Sequence, residues 1–221
     1  MVRLTGVGEL RVGFCVSGRG RLFREAATRR SALGIVPALL VADHGASAAL
    51  EPFCTAAGIP VARLPEDDDR YRTEIARACD AASLDLLCLT FDRILPPEVV
   101  APRPGRIINV HLALLPAFRG KRAFERALAA DVRYAGATIH EVTEDVDRGP
   151  IVAQCVIATQ RDDTVEAVGD RVYGLLRPMF LQVLAWYAEG RVARDDRGRI
   201  RVRDAVYGEL PVSPALERDD A

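Results

Sequence analysis

Two polar side chains stand at the end of an apolar stretch in the middle of the chain. Asn109 and His111 close the run IINVH and are two residues apart, so in a β-strand both side chains lie on one face. A carboxamide and an imidazole on one face can both donate hydrogen bonds to an oxygen that becomes negative when an amine attacks a carbonyl carbon. The pair is therefore a candidate site for acyl transfer.

A carboxylate that could assist this pair lies further along the chain. Asp147 follows Glu144 and Asp145 in an acidic loop and precedes Gly149. A carboxylate at this position could keep His111 protonated and accept the proton of an attacking amine, directly or through water. Because the chain lacks a GxSxG turn, a nucleophilic serine is not indicated.

Each of these residues also has a structural interpretation, and physical reasoning alone does not decide between the two. His111 is equally well explained as a buried histidine with satisfied hydrogen bonds, and Asn109 as the cap of a loop. Asp147 fits an ordinary Asp-x-Gly turn. A metal site from His111, His140 and the nearby acids matches no ligand spacing, so no metal is predicted and His140 is interpreted as structural.

The segments around these residues predict an α/β fold. Short apolar runs alternate with helical patterns, an order typical of a Rossmann-like, mostly parallel twisted sheet with helices on both faces. The sheet is expected to become mixed in the C-terminal half, where alternating segments follow one another. The predicted strands are 10–16, 34–42, 59–64, 84–90, 106–111, 135–142 and 150–158, and the predicted helices end near residue 31 or lie near 46–57, 67–82 and 122–130.

This order of elements places Asn109 and His111 at the carboxyl edge of the sheet, where open α/β sheets bind ligands. A long amphipathic helix is expected from about Thr164, with Asp162 or Asp163 as its cap, and Gly190 ends it. The expected organisation is one catalytic domain over 1–210, with a possible small hairpin at 191–210 around Asp196-Arg197-Gly198, and a flexible tail at 211–221.

The composition favours a globular protein that acts on small molecules. The 221 residues are 49% apolar and carry a formal charge of -1, which suits one core and argues against a broad surface for nucleic acid or anionic membrane. No apolar run is long enough to span a bilayer. We expect a cytoplasmic monomer or homodimer without nucleic-acid or membrane partners. The five scattered cysteines indicate neither a disulfide framework nor a zinc site, and we interpret them as buried apolar residues.

A glycine-rich turn follows the first predicted strand. Gly18 and Gly20 would allow backbone amides to approach a phosphate, but the third glycine of a dinucleotide fingerprint is replaced by Phe23. Asp43 lies at a distance suited to a ribose, although an acid after the second strand is common in α/β proteins. A tight turn or another anion pocket is therefore preferred to a nicotinamide site.

The segments NVHLALLPAFRG (109–120) and DVDRGPI (145–151) resemble the folate-dependent formyltransferases, most closely the glycinamide ribonucleotide formyltransferases. In that family an N-x-H strand end leads into an LLP loop with a following glycine, and a later D-x-D-x-G-P/Q-I segment supplies the catalytic acid. The resemblance extends over about residues 10–195. It implies 10-formyltetrahydrofolate as formyl donor and a cis peptide before Pro116. It also implies a catalytic set of Asn109, His111 and Asp147.

The resemblance further implies a pterin pocket. The backbone amide and carbonyl groups of the segment FDRILPPE would bind the pterin edge, together with the loop that precedes Asp147. The folate-binding residues implied in this way are Arg93, Ile94, Leu95, Thr143, Glu144, Asp145 and Val146.

The acceptor side departs from the family pattern. The family's first loop reads SGxGSN and binds a phosphate, whereas here SGRGRL places Arg21 and Leu22 in the last two positions. The family's glutamate that binds the glycinamide substrate aligns with Leu176, and the proline and serine after the catalytic histidine are Leu112 and Ala113. Arg21 could still bind a phosphate at the start of the helix. The acceptor-binding residues implied by the alignment are Gly18, Gly20, Arg21 and Leu176.

These departures favour an N-formyltransferase whose acceptor is a small-molecule amine other than glycinamide ribonucleotide, in biosynthesis outside the purine route. The first alternative is phosphoribosylglycinamide formyltransferase itself, with a rebuilt phosphate site. The second is formyltetrahydrofolate hydrolase, whose members carry a preceding regulatory domain. A non-catalytic binding protein is disfavoured by the complete catalytic set, and a methionyl-transfer-RNA formyltransferase by the lack of length for its C-terminal domain.

Overall fold

A computed structural model describes residues 9–217 of the chain. The first eight residues of the predicted domain and the last four of the predicted tail therefore lie outside the described residues. The strands are β1 Leu10–Val16, β2 Ile35–Ala42, β3 Val61–Arg63, β4 Leu86–Thr90, β5 Ile107–His111, β6 Tyr134–Glu141, β7 Ile151–Ala158, β8 Val192–Arg194, β9 Ile200–Val202 and β10 Val212–Ser213. The helices are α1 Arg21–Thr28, α2 Arg30–Leu33, α3 Leu50–Ala57, α4 Asp68–Ala81, α5 Pro97–Val100, α6 Ala123–Ala129 and α7 Val165–Ala188.

The described residues form two compact units. The N-terminal unit holds residues up to 109 together with 142–144, and the C-terminal unit holds 110–141 and the residues from 145 onward.

A parallel sheet in the order β3-β2-β1-β4-β5 forms the centre of the N-terminal unit. Its inner strands are almost wholly buried, and Arg11 is the exposed residue of β1. Nearly continuous apolar runs of this kind suit parallel strands that are covered on both faces. The carboxyl end of β5 pairs with β4 through Asn109 and Leu89, which fixes the position of Asn109 at the end of the sheet.

Helix α4 shows how sequence and packing agree in this unit. Its side chains Tyr71, Ile75 and Cys79 are buried and join the hydrophobic cluster that also contains Leu87 and Ile107. Asp67 caps the start of the helix, and its carboxylate accepts a hydrogen bond of 2.9 Å from the amide of Arg70.

In the C-terminal unit, β7 lies between β6 and β10 and pairs with each of them in antiparallel register. Gly136 of β6 lies so close to β7 that a Cβ atom there would be 2.0 Å from the carbonyl oxygen of Cys155. Helix α7 runs for 24 residues and buries apolar side chains, among them Val172, Met179 and Trp186. The predicted α/β fold with a mostly parallel sheet that becomes mixed toward the C-terminus is confirmed.

Two expectations for this part of the chain need correction. Helix α7 is capped by Thr164, whose hydroxyl accepts from the amide of Ala167, and Asp163 instead forms an ion pair with Arg171. Residues 212–213 form β10, where a flexible tail was expected from 211. Strands β8 and β9 form an antiparallel pair within the segment for which a hairpin was predicted.

Candidate active site

Strand β5 positions the first two candidate residues. Asn109 and His111 are the third and fifth residues of this strand, so their side chains share one face, as predicted. Asn109 is half-buried, and His111 is buried with 6% of its surface exposed.

Asp147 lies between two histidine rings of the C-terminal unit. Its Oδ2 atom is 3.3 Å from Nδ1 of His111, and its Oδ1 atom is 3.5 Å from Nε2 of His140. The amide of Gly120 donates a hydrogen bond of 2.7 Å to Oδ2, and Nε of Arg119 donates one of 3.1 Å to the backbone oxygen of Asp147. The structure thus brings His111 and Asp147 together and adds His140 to them.

Each histidine has its other ring nitrogen against a backbone carbonyl. Nε2 of His111 is 3.0 Å from the oxygen of Phe118, and Nδ1 of His140 is 2.9 Å from the oxygen of Glu141. A carbonyl oxygen only accepts hydrogen bonds, so both of these nitrogens carry a hydrogen in this arrangement. The nitrogen of each ring that faces Asp147 therefore donates to the carboxylate only when the ring is an imidazolium. Asp147 is placed to stabilise a proton that either ring gains.

The surroundings of Asp147 and His111 lower the pKa of both groups. The pKa of Asp147 is lowered to about 2, first by the hydrogen bond with His140 and then by the amide of Gly120 and by the positive charge that His111 carries when it is protonated, against the opposing effect of burial. Burial lowers the pKa of His111, and the negative charge of Asp147 only partly opposes this. At neutral pH the site therefore combines an ionised carboxylate with a neutral His111 imidazole. Such a pair can take up a proton from an attacking amine and stabilise it.

The LLP loop after β5 is fixed by a buried hydroxyl. The Oγ1 of Thr138 donates to the oxygen of Ala113 at 2.7 Å and accepts from the amide of Leu115 at 3.1 Å. Gln154 donates from Nε2 to the same hydroxyl and to the oxygen of Leu115, both at 3.0 Å. The peptide between Leu115 and Pro116 is cis, as the family resemblance implied. The loop that carries Phe118 and Gly120 to the site thus starts from a fixed base.

Three residues at the site adopt left-handed backbone conformations. The φ angles are 53° at Phe118, 84° at Gly120 and 53° at Asp147. For the two non-glycine residues this conformation costs free energy, and such positions concentrate at functional sites.

Sequence reasoning missed His140, Phe118 and Gly120 as members of the site. His140 was interpreted as structural, yet its ring lies against Asp147. A usable signal was the position of His140 near the carboxyl end of a predicted strand, which is the same location that drew attention to His111. For Phe118 the contributing atom is a backbone oxygen, which leaves no signal in the residue type.

The residues expected to bind folate have the following surroundings. The Arg93 guanidinium binds the oxygen of Pro65 at 2.8 Å and the carboxylate of Asp68 at 2.6 Å, and it stacks 3.7 Å above the ring of Tyr71. Ile94 exposes 59% of its surface, and its backbone oxygen accepts a hydrogen bond from the Tyr71 hydroxyl. The Arg93 side chain therefore supports the loop, and a contact with a ligand there would fall to the backbone.

The second part of the expected folate pocket is the loop after β6. Thr143, Glu144, Asp145 and Val146 are exposed. The preceding residue, Val142, packs against the same hydrophobic cluster that contains Leu95. Thr143 and Glu144 therefore come directly after Val142, which packs against the cluster that contains Leu95 of the FDRILPPE segment.

The glycine turn after β1 is a tight turn with internal hydrogen bonds. Gly18 and Gly20 have φ angles of 69° and 60°, and the amide of Gly18 already donates to the oxygen of Gly45. Asp43 is buried and accepts from the Ser17 hydroxyl at 2.5 Å and from the Gly45 amide at 2.9 Å. Asp43 therefore holds the turn in place, which argues against the dinucleotide interpretation in which it binds a ribose.

The remaining acceptor-side expectations concern α1 and α7. Arg21 is exposed at the first position of α1, while Leu22 beside it is 7% exposed. Leu176 is 3% exposed within the buried face of α7, so its side chain offers little surface to a ligand. The assignment of Leu176 to the acceptor site is thus weakened.

Three further findings concern the residues that the structure describes. All five cysteines are buried and free. Within residues 9–217, no group of three or more His, Cys, Asp or Glu side chains is arranged to hold a metal ion. Among the same residues, no helix combines the length and the apolar character needed to cross a membrane.

Comparisons with known proteins give consistent results. Residues 10–184 match the model of the formyl transferase family. The chain is 33% identical over 198 residues to the trifunctional purine biosynthetic protein adenosine-3 of Bos taurus, a match that covers 87% of this chain and 20% of that protein. The chain thus spans about a fifth of the length of this relative. It is 36% identical over 110 residues to the formyltetrahydrofolate deformylase of Bacillus subtilis, which covers 49% of this chain and 37% of that enzyme.

A solved structure agrees over nearly its full length. Phosphoribosylglycinamide formyltransferase from Anaplasma phagocytophilum superposes with a TM-score of 0.80 and 29% identity, over 88% of this chain and 95% of that chain.

Proposed function

Because the chain belongs to the formyl transferase family, we propose that it is a folate-dependent N-formyltransferase, which moves the formyl group of 10-formyltetrahydrofolate to the amine of a small molecule. The observation that carries this proposal is the contact of 3.3 Å between Nδ1 of His111 and Oδ2 of Asp147. Asn109 stands on the same strand face as His111.

In the proposed reaction the acceptor nitrogen attacks the formyl carbon and the formyl oxygen becomes negative. Asn109 and His111 stabilise that oxygen by hydrogen bonds, and the pair of His111 and Asp147 takes up the amine proton, directly or through water, as an imidazolium that the carboxylate stabilises. The bond between the formyl carbon and N10 of the folate then breaks, and the same proton passes to N10, so that tetrahydrofolate leaves. In the described arrangement both nitrogens of His111 are engaged, with Phe118 and with Asp147. His111 must therefore give up its hydrogen bond to the Phe118 oxygen when it binds the formyl oxygen through Nε2.

Phosphoribosylglycinamide is the first acceptor that we propose. The relative of known structure carries that activity in its name and matches this chain over 88% of its length. This support reverses the preference for a different amine that followed from the sequence of the first loop.

A different small-molecule amine is the second candidate. The burial of Leu22 favours it, because a buried leucine offers no hydrogen bond to a phosphate where the family has a polar residue. Hydrolysis of the formyl donor is the third candidate, and it is supported by the partial match to a deformylase.

One assay separates the three candidates. Purified protein is mixed with 10-formyltetrahydrofolate and phosphoribosylglycinamide, deformylation of the folate is followed optically, and the assay is repeated without the amine and with a panel of other amines. Turnover only with phosphoribosylglycinamide supports the first candidate, turnover only with another amine the second, and release of formate without any amine the third.

The matched variants are Asp147→Asn and Asp131→Asn. Asp131 is an exposed turn residue with a left-handed backbone that asparagine also tolerates. We expect Asp147→Asn to lower kcat by about 10²- to 10⁴-fold, whereas Asp131→Asn retains it. Equal activity of both variants would remove Asp147 from the proposed mechanism, and failure of the wild-type protein to bind any reduced folate would contradict the proposed function.

A further inference from the structure

A cavity of about 510 Å³ lies in the C-terminal unit beside Asp147. Three segments line it: the LLP loop, the segment that follows Asp147, and the turn between β8 and β9. The lining residues are Leu115, Pro116, Arg119, Asp147, Arg148, Gly149, Pro150, Ile151, Gly198, Arg199 and Ile200.

The charges of this lining are unbalanced. It contains three arginines and one aspartate, and the aspartate is already held by two histidines and by the amide of Gly120. Arg199 is paired with Asp195 of the same turn at 2.8 Å. Arg119 and Arg148 form no ion pair with any of the residues 9–217, so two positive charges of the lining stand against one negative charge, that of Asp147, and the lining has a net positive charge.

Two hydrogen bonds fix the position of Arg119 in the lining of the cavity. Its Nε donates a hydrogen bond to the backbone oxygen of Asp147. Nη1 of Arg126 donates a hydrogen bond of 2.7 Å to the backbone oxygen of Arg119. Its two terminal nitrogens have no acceptor within the described part of the chain, and they remain free for a planar pair of hydrogen bonds. Guanidinium groups bind carboxylates and phosphates in that bidentate geometry.

The rest of the lining is apolar and firmly supported. Leu115, Ile151 and Ile200 supply aliphatic side chains to the lining. The β8–β9 turn is anchored because Arg194 forms an ion pair with the buried carboxylate of Glu141. Tyr187 of α7 donates a hydrogen bond of 3.3 Å to the same carboxylate. An apolar body and an anionic head would both find partners here.

We propose that this cavity is a binding site for a small molecule that joins an anionic head, either a carboxylate or a phosphate, to an apolar body. Arg119 and Arg148 bind the head, and the aliphatic side chains contact the body. The proposal does not rest on the proposed reaction, because binding can be measured without a formyl donor or an amine. The site would lie beside Asp147, whose carboxylate is 3.3 Å from Nδ1 of His111.

The test uses phenyl phosphate and phenylacetate as anionic probes and phenol as the neutral probe of similar size. Calorimetric titration of the whole chain gives the affinity, and backbone amide shifts in NMR spectra locate the site. We expect an anionic probe to bind, with shifts concentrated at 115–119, 147–151 and 198–200, and phenol to bind much more weakly. The anionic probe that binds more tightly identifies the head as a phosphate or a carboxylate.

Two variants test the site: the double variant that combines Arg119→Met with Arg148→Met, and the single variant Arg148→Met. We expect the double variant to bind the anionic probe about 10- to 100-fold more weakly, since hydrogen bonds to charged groups are lost. The control is Arg72→Met, at an exposed position of α4 in the other unit, which should leave the affinity unchanged. Arg148 is exposed, so its single substitution tests the site even where loss of Arg119 disturbs folding.

Three results would overturn the proposal. They are undiminished affinity in a folded Arg148→Met variant and in the double variant, shifts that map outside the cavity, or no binding of either anionic probe up to about 10 mM, beyond the millimolar affinity of weak ligands.

Discussion

The backbone amide of Gly120 lies 2.7 Å from Oδ2 of Asp147 and donates a hydrogen bond to it. The same oxygen is 3.3 Å from Nδ1 of His111. The loop after β5 thus fixes the carboxylate that faces the last residue of β5. Two motifs that are distant in the sequence, LLPAFRG and DVDRGPI, meet in this hydrogen bond.

The first prediction concerns the conformation of Gly120. Its φ angle of 84° disfavours any residue with a Cβ, although the nearest atom to such a Cβ, on Arg126, is 4.0 Å away. We expect Gly120→Ala to lower the free energy of unfolding by about 1–2 kcal/mol and to reduce kcat, because a change of the backbone at residue 120 moves the amide that donates to Asp147. Chemical denaturation and the folate assay measure the two effects.

Gly174→Ala is the matched control for this substitution. Gly174 is exposed within α7 and has open space around its Cβ position, so alanine there should raise the free energy of unfolding by about 0.5–1 kcal/mol. If Gly120→Ala were as stable and as active as Gly174→Ala, the loop conformation would not matter for the site.

The second prediction concerns His140 as a positioning residue. The hydrogen bond of His140 is the largest cause of the low pKa of Asp147, about 2. We expect His140→Phe to raise that pKa toward the ordinary value of 3.8, which carbon-13 NMR of the carboxyl group can follow. The acid limb of the pH profile of kcat should move to higher pH in the same variant. An exposed histidine, His44, provides the control as His44→Phe, and an unchanged Asp147 pKa in His140→Phe would contradict the assignment.

The third prediction concerns stability in acid. Because the pKa of Asp147 is lower in the folded protein than in the unfolded chain, the unfolded chain binds more protons between the two values. The stabilising contribution of Asp147 is therefore complete above about pH 4 and is lost as the pH falls toward 2. The free energy of unfolding of the wild-type protein should fall more steeply in that window than that of Asp147→Asn. Parallel curves for the two proteins would show that the pKa of Asp147 is not lowered by folding.

The fourth prediction concerns the hydroxyl of Thr138. This fully buried group donates to Ala113 and accepts from Leu115 and Gln154, so Thr138→Val leaves three partners incompletely bonded. We expect a loss of about 1–3 kcal/mol in the free energy of unfolding. Thr55→Val, at an exposed position of α3, should change stability by less than about 0.5 kcal/mol. A similar effect of both substitutions would mean that the hydroxyl does not hold the loop.

The sequence predicts the larger elements of this fold well because their apolar patterns are long. Every predicted strand of the first half corresponds to a strand of the structure, and the helix from Thr164 to Gly190 corresponds to α7. Short elements escape such patterns. Helix α5 has four residues, and β10 has two residues flanked by Pro211 and Pro214, which argue against a strand unless it lies at an edge.

The site could be predicted where residue type carries the function. Asn109, His111 and Asp147 stand out because polar side chains interrupt apolar or turn sequences, and the structure brings the latter two within 3.3 Å. His140 also lies near the carboxyl end of a predicted strand, but residue type and position did not reveal that its ring contacts Asp147. The acceptor side is the least predictable part, since the burial of Leu22 and Leu176 follows from packing.

Strand β10 has a consequence for association between copies of the chain. It pairs with Gln154 and Cys155 of β7, and the amide of Val156 donates to the oxygen of Pro211. A chain shortened before residue 211 would leave these backbone groups of β7 open. Open strand edges recruit other strands and promote aggregation. This two-residue strand therefore covers part of the edge of β7, and we expect a chain shortened before residue 211 to associate with other copies more readily.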